Sequence, residues 1–263
     1  MKNKMILGID IGYSSSKFVV LKENKLVYTF LSESKNEKNI KKITNDLIKK
    51  FYIKKIGITG GRSKILDFHF NVPTKTVNEI SAIGIGGLFQ SKKNESIVVS
   101  CGTGTCIVYV KDKNVVHLGG TGVGGGTILG LSKLLLKTQN IKEIEKLASK
   151  GDLANIDLTV KDIIGSSIGK LLEDITASNF GKIKNPKREN LAIAILNLVA
   201  ESIATNSLFA SGNDPIFLAG RVPRIKFVNK KIKEIGKLFD KEITTLPYAE
   251  FTTALGAAIL CKK

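Results

Sequence analysis

Four short stretches of the sequence set hydroxyls and bare backbone beside charge. Asp10, Ile11, Gly12, Tyr13, Ser14, Ser15, Ser16 and Lys17 form the first, with a carboxylate at one end and an ammonium at the other. The second runs Cys101-Gly-Thr103-Gly-Thr-Cys106. The third runs from Gly119, Gly120 and Thr121 through Gly124, Gly125, Gly126 and Thr127 to Ile128, and opens a helical pattern. The fourth is Gly220-Arg221-Val-Pro223-Arg224, after an apolar run. Turns of Gly, Ser and Thr that follow a strand present N–H groups and hydroxyls in a concave array, which suits anions. Where such a turn opens a helix, the unpaired N–H groups and dipole of the first helical turn add to it. The chemistry this predicts is phosphate binding. One glycine turn is usually only a tight corner, but four in strand–turn settings are a pattern. None has the G-x-x-x-x-G-K-[ST] or G-x-G-x-x-G form in a strand-to-helix setting, which disfavours P-loop and dinucleotide-binding folds.

The elements that position these turns repeat. Met5 to Ile11 reads as a buried strand, and Lys17 to Phe30 as two strands around a Glu-Asn turn. A lysine-rich helix is predicted from Asn39 to Phe51, then a strand ending in Gly60-Gly61, then a helix with Asn78 as its N-cap. From Ser96 the order strand, small-residue turn, strand, tight turn, strand returns, as in an internal duplication. Helices follow over Gly124–Lys137, Ile141–Ala148, Thr159–Ile164 and Glu189–Ala210. A strand over Pro215–Gly220, a helix opening at Pro223, a strand over Glu242–Tyr248 and a helix over Thr252–Cys261 complete the chain. This is an α/β pattern in two similar lobes, with a cleft between them as the ligand site.

The chain has 263 residues, 43% of them hydrophobic and 24% charged, enough for one large domain or two modest ones. Its boundaries are read as 1–95 and 96–263. No apolar run of about 20 residues is evident, and no secretory core precedes the first strand, so a cytoplasmic protein without a membrane partner is expected. Cys101, Cys106 and Cys261 lack metal-ligand or disulfide spacing and are expected as small buried residues. The formal net charge of +18 is almost all lysine, since only Arg62, Arg188, Arg221 and Arg224 are arginine. The lysines spread along helical faces without interleaved aromatics, so a solvated coat is favoured over nucleic-acid binding.

The first, second and fourth stretches resemble the phosphate 1, phosphate 2 and adenosine motifs of the superfamily of acetate and sugar kinases, heat-shock ATPases and actin. More specifically, "HLGGTGVGGGTILGLSKLL" followed by "LASKGDLANIDLTVKDI" resembles type II pantothenate kinase. The resemblance runs nearly end to end. It implies a two-lobed actin-like (ribonuclease H-like) fold with ATP in the interlobe cleft, Mg²⁺ dependence, pantothenate as substrate, a homodimer, and coenzyme A or acyl-CoA as inhibitor. Kinases for pantetheine or a sugar on the same fold, and a catalytically silent nucleotide- or CoA-binding regulator, are the competing readings.

By the same resemblance, Asp10 orients Mg²⁺ through water and Lys17 reaches the transferring phosphate. Residues Ile11 to Ser16, Thr103, Gly220 and Arg221 surround ATP. Gly124, Gly125, Gly126, Thr127 and Ile128 meet its phosphates through backbone N–H groups. Glu79 becomes the base that takes the proton from the 4′-hydroxyl; from the residues alone it is an acid complementing a helix dipole. Thr103, His117, Gly119, Gly120 and Thr121 join Glu79 at the substrate. Arg224 stands equally as phosphate contact or surface coat, and Asp152 and Asp157 read as helix caps. The chain departs from the family at Tyr13, where a glycine is usual, and at His117, where the family carries arginine. An imidazole is no equivalent of a fixed guanidinium fork, so substrate affinity and feedback inhibition are expected to change at that position.

Overall fold

The computed structural model describes residues 5–34, 36–64, 69–167, 169 and 172–262; the first four positions of the stretch read for a leader lie outside it. Strand β1 (Met5–Ile11) is central in its sheet and buried from Ile6 onward because both of its faces are packed, Leu7, Ile9 and Ile11 in one apolar cluster and Ile6 in another. It pairs antiparallel with β2 (Ser16–Lys22) and parallel with β4 (Ile53–Thr59). Strand β3 (Lys25–Ser32) lies outside β2, joined by a tight turn in which Glu23 and Asn24 take positive φ. Strand β5 (Thr74–Thr76) lies outside β4, giving the order β3-β2-β1-β4-β5. Helix α1 (Glu37–Phe51) is capped by Asn36, which accepts from the Lys38 N–H at 2.8 Å, and turns Ile40, Thr44 and Leu47 inward. Helix α2 (Glu79–Ser91) follows, capped by Asn78.

The second sheet repeats the plan. Strands β6 (Glu95–Cys101), β7 (Thr105–Lys111) and β8 (Asn114–Thr121) form an antiparallel meander. Between β8 and the next ladder strand lie α3 (Gly125–Leu136), α4 (Ile141–Ala148), a small ribbon of β9 (Leu158–Thr159) and β10 (Thr176–Ser178) around α5 (Val160–Ile164), and α6 (Arg188–Ser211). Then come β11 (Ile216–Gly220), α7 (Lys226–Leu238), β12 (Ile243–Thr245) and α8 (Thr252–Leu260). The order β8-β7-β6-β11-β12 has the same parallel and antiparallel pairings as the first sheet. The duplication read in the sequence is thus a duplication of topology.

The last helix of each half crosses over. Helix α8 packs on β1, β2 and β4 of the first sheet, with Leu255 and Ala258 against Ile6, Val19 and Leu21. Helix α2 packs on β6, β7 and β8 of the second, with Ile83 against Val98, Val108 and Val110. The two helices touch at glycines. A Cβ on Gly86 would lie 2.0 Å from the Thr252 carbonyl oxygen, and one on Gly256 would lie 1.8 Å from that of Ala82. The sheets are thereby joined through a bare-backbone crossing.

Helix α6 is long and apolar enough to cross a membrane by length and composition, a feature the sequence reading did not credit to any run. In the fold it is the central helix of the second lobe. Ala192, Ile195, Leu196, Val199, Ala200 and Ile203 are buried among Ile97, Val99, Ile128, Ile144 and Val228. Each such isoleucine or leucine contributes roughly 1.5–3 kcal/mol on burial.

Three local expectations are corrected. Pro223 does not open α7: residues Val222–Arg224 form a 3₁₀ turn and α7 starts at Lys226. The strand expected over Glu242–Tyr248 shrinks to Ile243–Thr245. Asp152 does cap a short turn, accepting from the Ala154 N–H at 3.0 Å, but Asp157 caps no helix. Asp157 is fully buried and accepts from the Phe180 N–H (2.9 Å), Asn197 Nδ2 (3.0 Å) and Thr176 Oγ1 (3.1 Å), which tie the β9–β10 ribbon to α6. Of the cysteines, Cys101 and Cys261 are buried and Cys106 is only half-buried.

Candidate active site

The β1–β2 turn closes on itself through the Gly12 N–H, which donates to the Ser15 carbonyl at 3.2 Å. Its flanking residues, Asp10 and Lys17, face each other across the ladder. Lys17 Nζ lies 3.3 Å from Asp10 Oδ2 and donates to the Ser15 carbonyl at 3.4 Å. Asp10 is 7% exposed, and burial raises its carboxyl above the usual carboxylate range while Lys17 pulls it back. Ser15 and Ser16 are buried, and Ser15 Oγ has no hydrogen-bond partner among the described residues. Tyr13, in the same turn, is 69% exposed.

The β6–β7 turn is the counterpart in the second lobe, closed by the Gly102 N–H donating to the Gly104 carbonyl at 2.9 Å. Thr103 stands at its tip, and its hydroxyl meets that of Ser14. The turn also receives the start of α3. The Gly125 N–H donates to the Gly102 carbonyl at 2.9 Å, and the Gly126 N–H to the Thr103 carbonyl at 2.8 Å. The Gly124 N–H donates to Thr127 Oγ1 at 3.2 Å, and the Ile128 N–H to the Gly124 carbonyl at 3.1 Å. These N–H groups were expected to face phosphate. They are instead satisfied within the protein, and they brace the Thr103 turn against the helix.

Glu79 enters from α2. Its position in the first turn follows from the Asn78 cap, whose Oδ1 accepts from the Ser81 N–H at 3.0 Å. The side chain reaches solvent, yet protein crowds its carboxyl. That desolvation raises Glu79 above the usual carboxylate range, the negative charge of Asp10 adds to the effect, and Lys17 opposes it. Cys106 shares the neighbourhood: desolvation and then Glu79 push its thiol up to about 11, so it is a neutral thiol at physiological pH. Asp10, Lys17, Glu79 and Cys106 therefore form one electrostatic group drawn from both halves of the chain.

Strand β8 supplies the next wall. His117 pairs with Val108, so it projects from the sheet face on which α2 packs, and it is exposed. A register shift between Ile107 and Val108 marks where Leu118 bulges out, just before Gly119 and Gly120. Thr121 Oγ1 accepts from the Val123 N–H at 3.1 Å. At the fourth turn, Arg221 pairs with Glu33 at 2.9 Å and Arg224 pairs with Glu250. Arg224 is thus committed to a carboxylate, and Arg221 links the second lobe to the end of β3.

One turn legible in the sequence, the Gly60-Gly61 pair, was not assigned to the site. Gly60, at φ +97°, follows β4 and lies against Asp10; a Cβ there would be 2.6 Å from Asp10 Oδ1. Its signal was a Gly-Gly pair after a buried strand, the same mark that flagged the other turns. The shallow hollows bordered by Leu88 and Asn114, and by His69 and Thr76, lie outside this group of residues.

The Fumble family matches residues 88–235. A type II pantothenate kinase of Bacillus thuringiensis subsp. konkukian is 36% identical over 213 residues, which span 77% of this chain and 76% of that protein. The type II pantothenate kinase of Oceanobacillus iheyensis is 34% identical over 208 residues, 75% of each. Among solved structures, component A of (R)-2-hydroxyglutaryl-CoA dehydratase from Acidaminococcus fermentans superposes with a TM-score of 0.70 at 17% identity, over 98% of this chain and 97% of that one. A ROK family glucokinase from Streptomyces griseus, in complex with glucose and AMPPNP, gives 0.60 at 12% identity, over 98% and 99%. At those identities the structural likeness shows the fold, a two-lobed α/β architecture.

Proposed function

The chain belongs to the type II pantothenate kinase family, and on that premise we propose how its own residues carry out the reaction. The protein is a kinase that phosphorylates pantothenate to 4′-phosphopantothenate, the first step of coenzyme A biosynthesis. The observation that supports the assignment of roles is the convergence of Asp10, Lys17 and Glu79 beside two hydroxyl-bearing turns.

Glu79 accepts the proton of the pantothenate 4′-hydroxyl as that oxygen bonds to the γ-phosphorus of ATP. The bond from phosphorus to the bridging oxygen breaks, and ADP leaves with the electron pair. A carboxylate whose pKa is raised holds the proton better than an ordinary one, which suits a general base. Lys17 places positive charge where the phosphoryl group passes, and Ser14, Ser15, Ser16 and Thr103 offer hydroxyls to the phosphate chain. Gly220 and Arg221 border the adenosine side.

Asp10 would hold Mg²⁺. The donor set fits: one buried carboxylate, a second nearby in Glu79, and the Ser15 hydroxyl, which has no partner among the described residues. Magnesium keeps several waters and takes few protein carboxylates. When bound it neutralises charge on the phosphates.

A cytoplasmic homodimer completes the proposal. Exposed Leu134, Ile163, Ile164 and Phe209 supply apolar surface that a second copy would cover, and sedimentation giving only a monomer at micromolar concentration would reject it. The activity itself is tested by coupled measurement of ADP release with pantothenate, pantetheine and several hexoses. Pantothenate should give by far the highest kcat/KM; preference for a hexose would overturn the substrate assignment.

A further inference from the structure

We propose that Thr59 is a positioning residue that sets the place of Glu79 relative to Asp10 by holding the backbone of Val77. The inference rests on Glu79 being the proton acceptor. Thr59 is the last residue of β4, fully buried, and pairs with Asp10 in the parallel ladder. Its Oγ1 donates to the Val77 carbonyl at 2.9 Å. The Val77 N–H donates to the Ile58 carbonyl at 2.7 Å. Both backbone polar groups of Val77 therefore end on β4, two residues before Glu79, and the Val77 side chain is itself buried.

The next residue after Thr59 closes the other half of the link. Gly60 lies against Asp10 Oδ1, so the end of β4 touches the Asp10 carboxylate on one side and steers the entry to α2 on the other. The body of α2 has separate anchors: Ile83 in the second sheet's core and Gly86 against α8. The β4 bonds act on the segment that enters its first turn, at Val77. Removing the Thr59 hydroxyl leaves a buried carbonyl unpaired, which favours a shift of the loop towards water. Such a shift moves Glu79 while leaving the helix body in place, and misplacement of about 1 Å at a reacting group can cost on the order of 10²-fold in rate.

The test compares Thr59→Val, Thr59→Ala and Thr59→Ser, with Glu79→Gln alongside, by steady-state kinetics, calorimetric ATP binding and melting temperature. Thr59→Val should lower kcat about 10-fold or more with KM for ATP within about twofold, the signature of a lost transition-state arrangement. Thr59→Ser keeps the donor and should return kcat to within about threefold of wild type. Near-wild-type kcat in Thr59→Val, with Glu79→Gln inactive, would overturn the role of Thr59 and leave that of Glu79 standing. Equal impairment in Val and Ser variants, or loss of ATP binding together with kcat, would also overturn it. If Thr59→Val does not fold, Thr59→Ala is read on the same axes; if neither folds, Thr59 is a folding residue and the proposal fails. A fully active Glu79→Gln removes its premise.

Discussion

Ser14 Oγ and Thr103 Oγ1 lie 3.3 Å apart, although 89 residues separate them in the chain. They join the tips of the two duplicated turns, one from each sheet. On the proposed placement of ATP, a phosphate chain entering between the turns would take both hydroxyls as donors and replace this contact. Each hydrogen bond of this kind nets about 0.5–1.5 kcal/mol. Ser14→Ala and Thr103→Val should therefore each weaken ATP binding several-fold, with little change in melting temperature because both groups are exposed. Calorimetric titration of the singles and the double variant checks it; unchanged affinity in all three would exclude the turns from the phosphate site.

Glu79 titrates above an ordinary carboxylate because of desolvation first and Asp10 second, with Lys17 opposing. The base must be ionised to accept a proton, so activity should fall as pH drops through that raised pKa. The neighbours set the sign of two further shifts. Asp10→Asn removes a negative charge and should move the Glu79 titration down; Lys17→Met removes a positive one and should move it up. Carboxyl ¹³C titration of the nucleotide-free protein reads both, and shifts in the opposite directions would refute the electrostatic grouping. Glu79→Gln should lower kcat by roughly 10²–10⁴-fold, the usual scale for a lost general base, with ATP affinity retained.

The glycines after β8 divide into two kinds. A Cβ on Gly125 would sit 2.9 Å from the Gly102 carbonyl oxygen, whereas one on Gly122 meets nothing within 4 Å. Gly125→Val should thus separate α3 from the Thr103 turn and lower both melting temperature and ATP affinity. Gly122→Ala should fold with near-wild-type stability. Thermal denaturation of the two variants distinguishes them, and a Gly125→Val protein as stable as wild type would show that the turn and helix do not brace each other.

Much of this site was legible because strand-end turns leave local marks. Asp10, Gly12 and Lys17 announce one turn, Gly102 to Gly104 another, and Asn78 a helix start that places Glu79. What escaped the sequence depends on partners far along the chain. Nothing local says that the N–H groups of Gly125 and Gly126 are taken by carbonyls some 23 residues earlier, judged from the numbering of Gly102 and Thr103. Asp157 looks like a cap in its own segment and becomes a buried acceptor only once Thr176, Phe180 and Asn197 surround it. Pro223 fits a first helical turn equally well in 3₁₀ or α form. The Gly60 turn bore the right glycines, but its proximity to Asp10 comes from parallel pairing of β1 with β4, which no local pattern encodes.

His117 lies on the sheet face that carries α2 and is open to solvent; the resemblance read in the sequence implies an arginine, with its fixed positive charge, at this position. An imidazole is not a guanidinium, whose planar fork is charged at every physiological pH. It cannot supply the bidentate, charge-assisted bonds that hold an anionic inhibitor. A ligand held by several groups suffers less from that loss than one held chiefly by the cation. Coenzyme A and acetyl-CoA should therefore inhibit weakly. His117→Arg should lower KM for pantothenate and restore inhibition, because a guanidinium supplies a fixed charge and a bidentate fork. Inhibition curves for acetyl-CoA on wild type and variant make the comparison. Strong wild-type inhibition indifferent to the substitution would show that the inhibitor is held elsewhere.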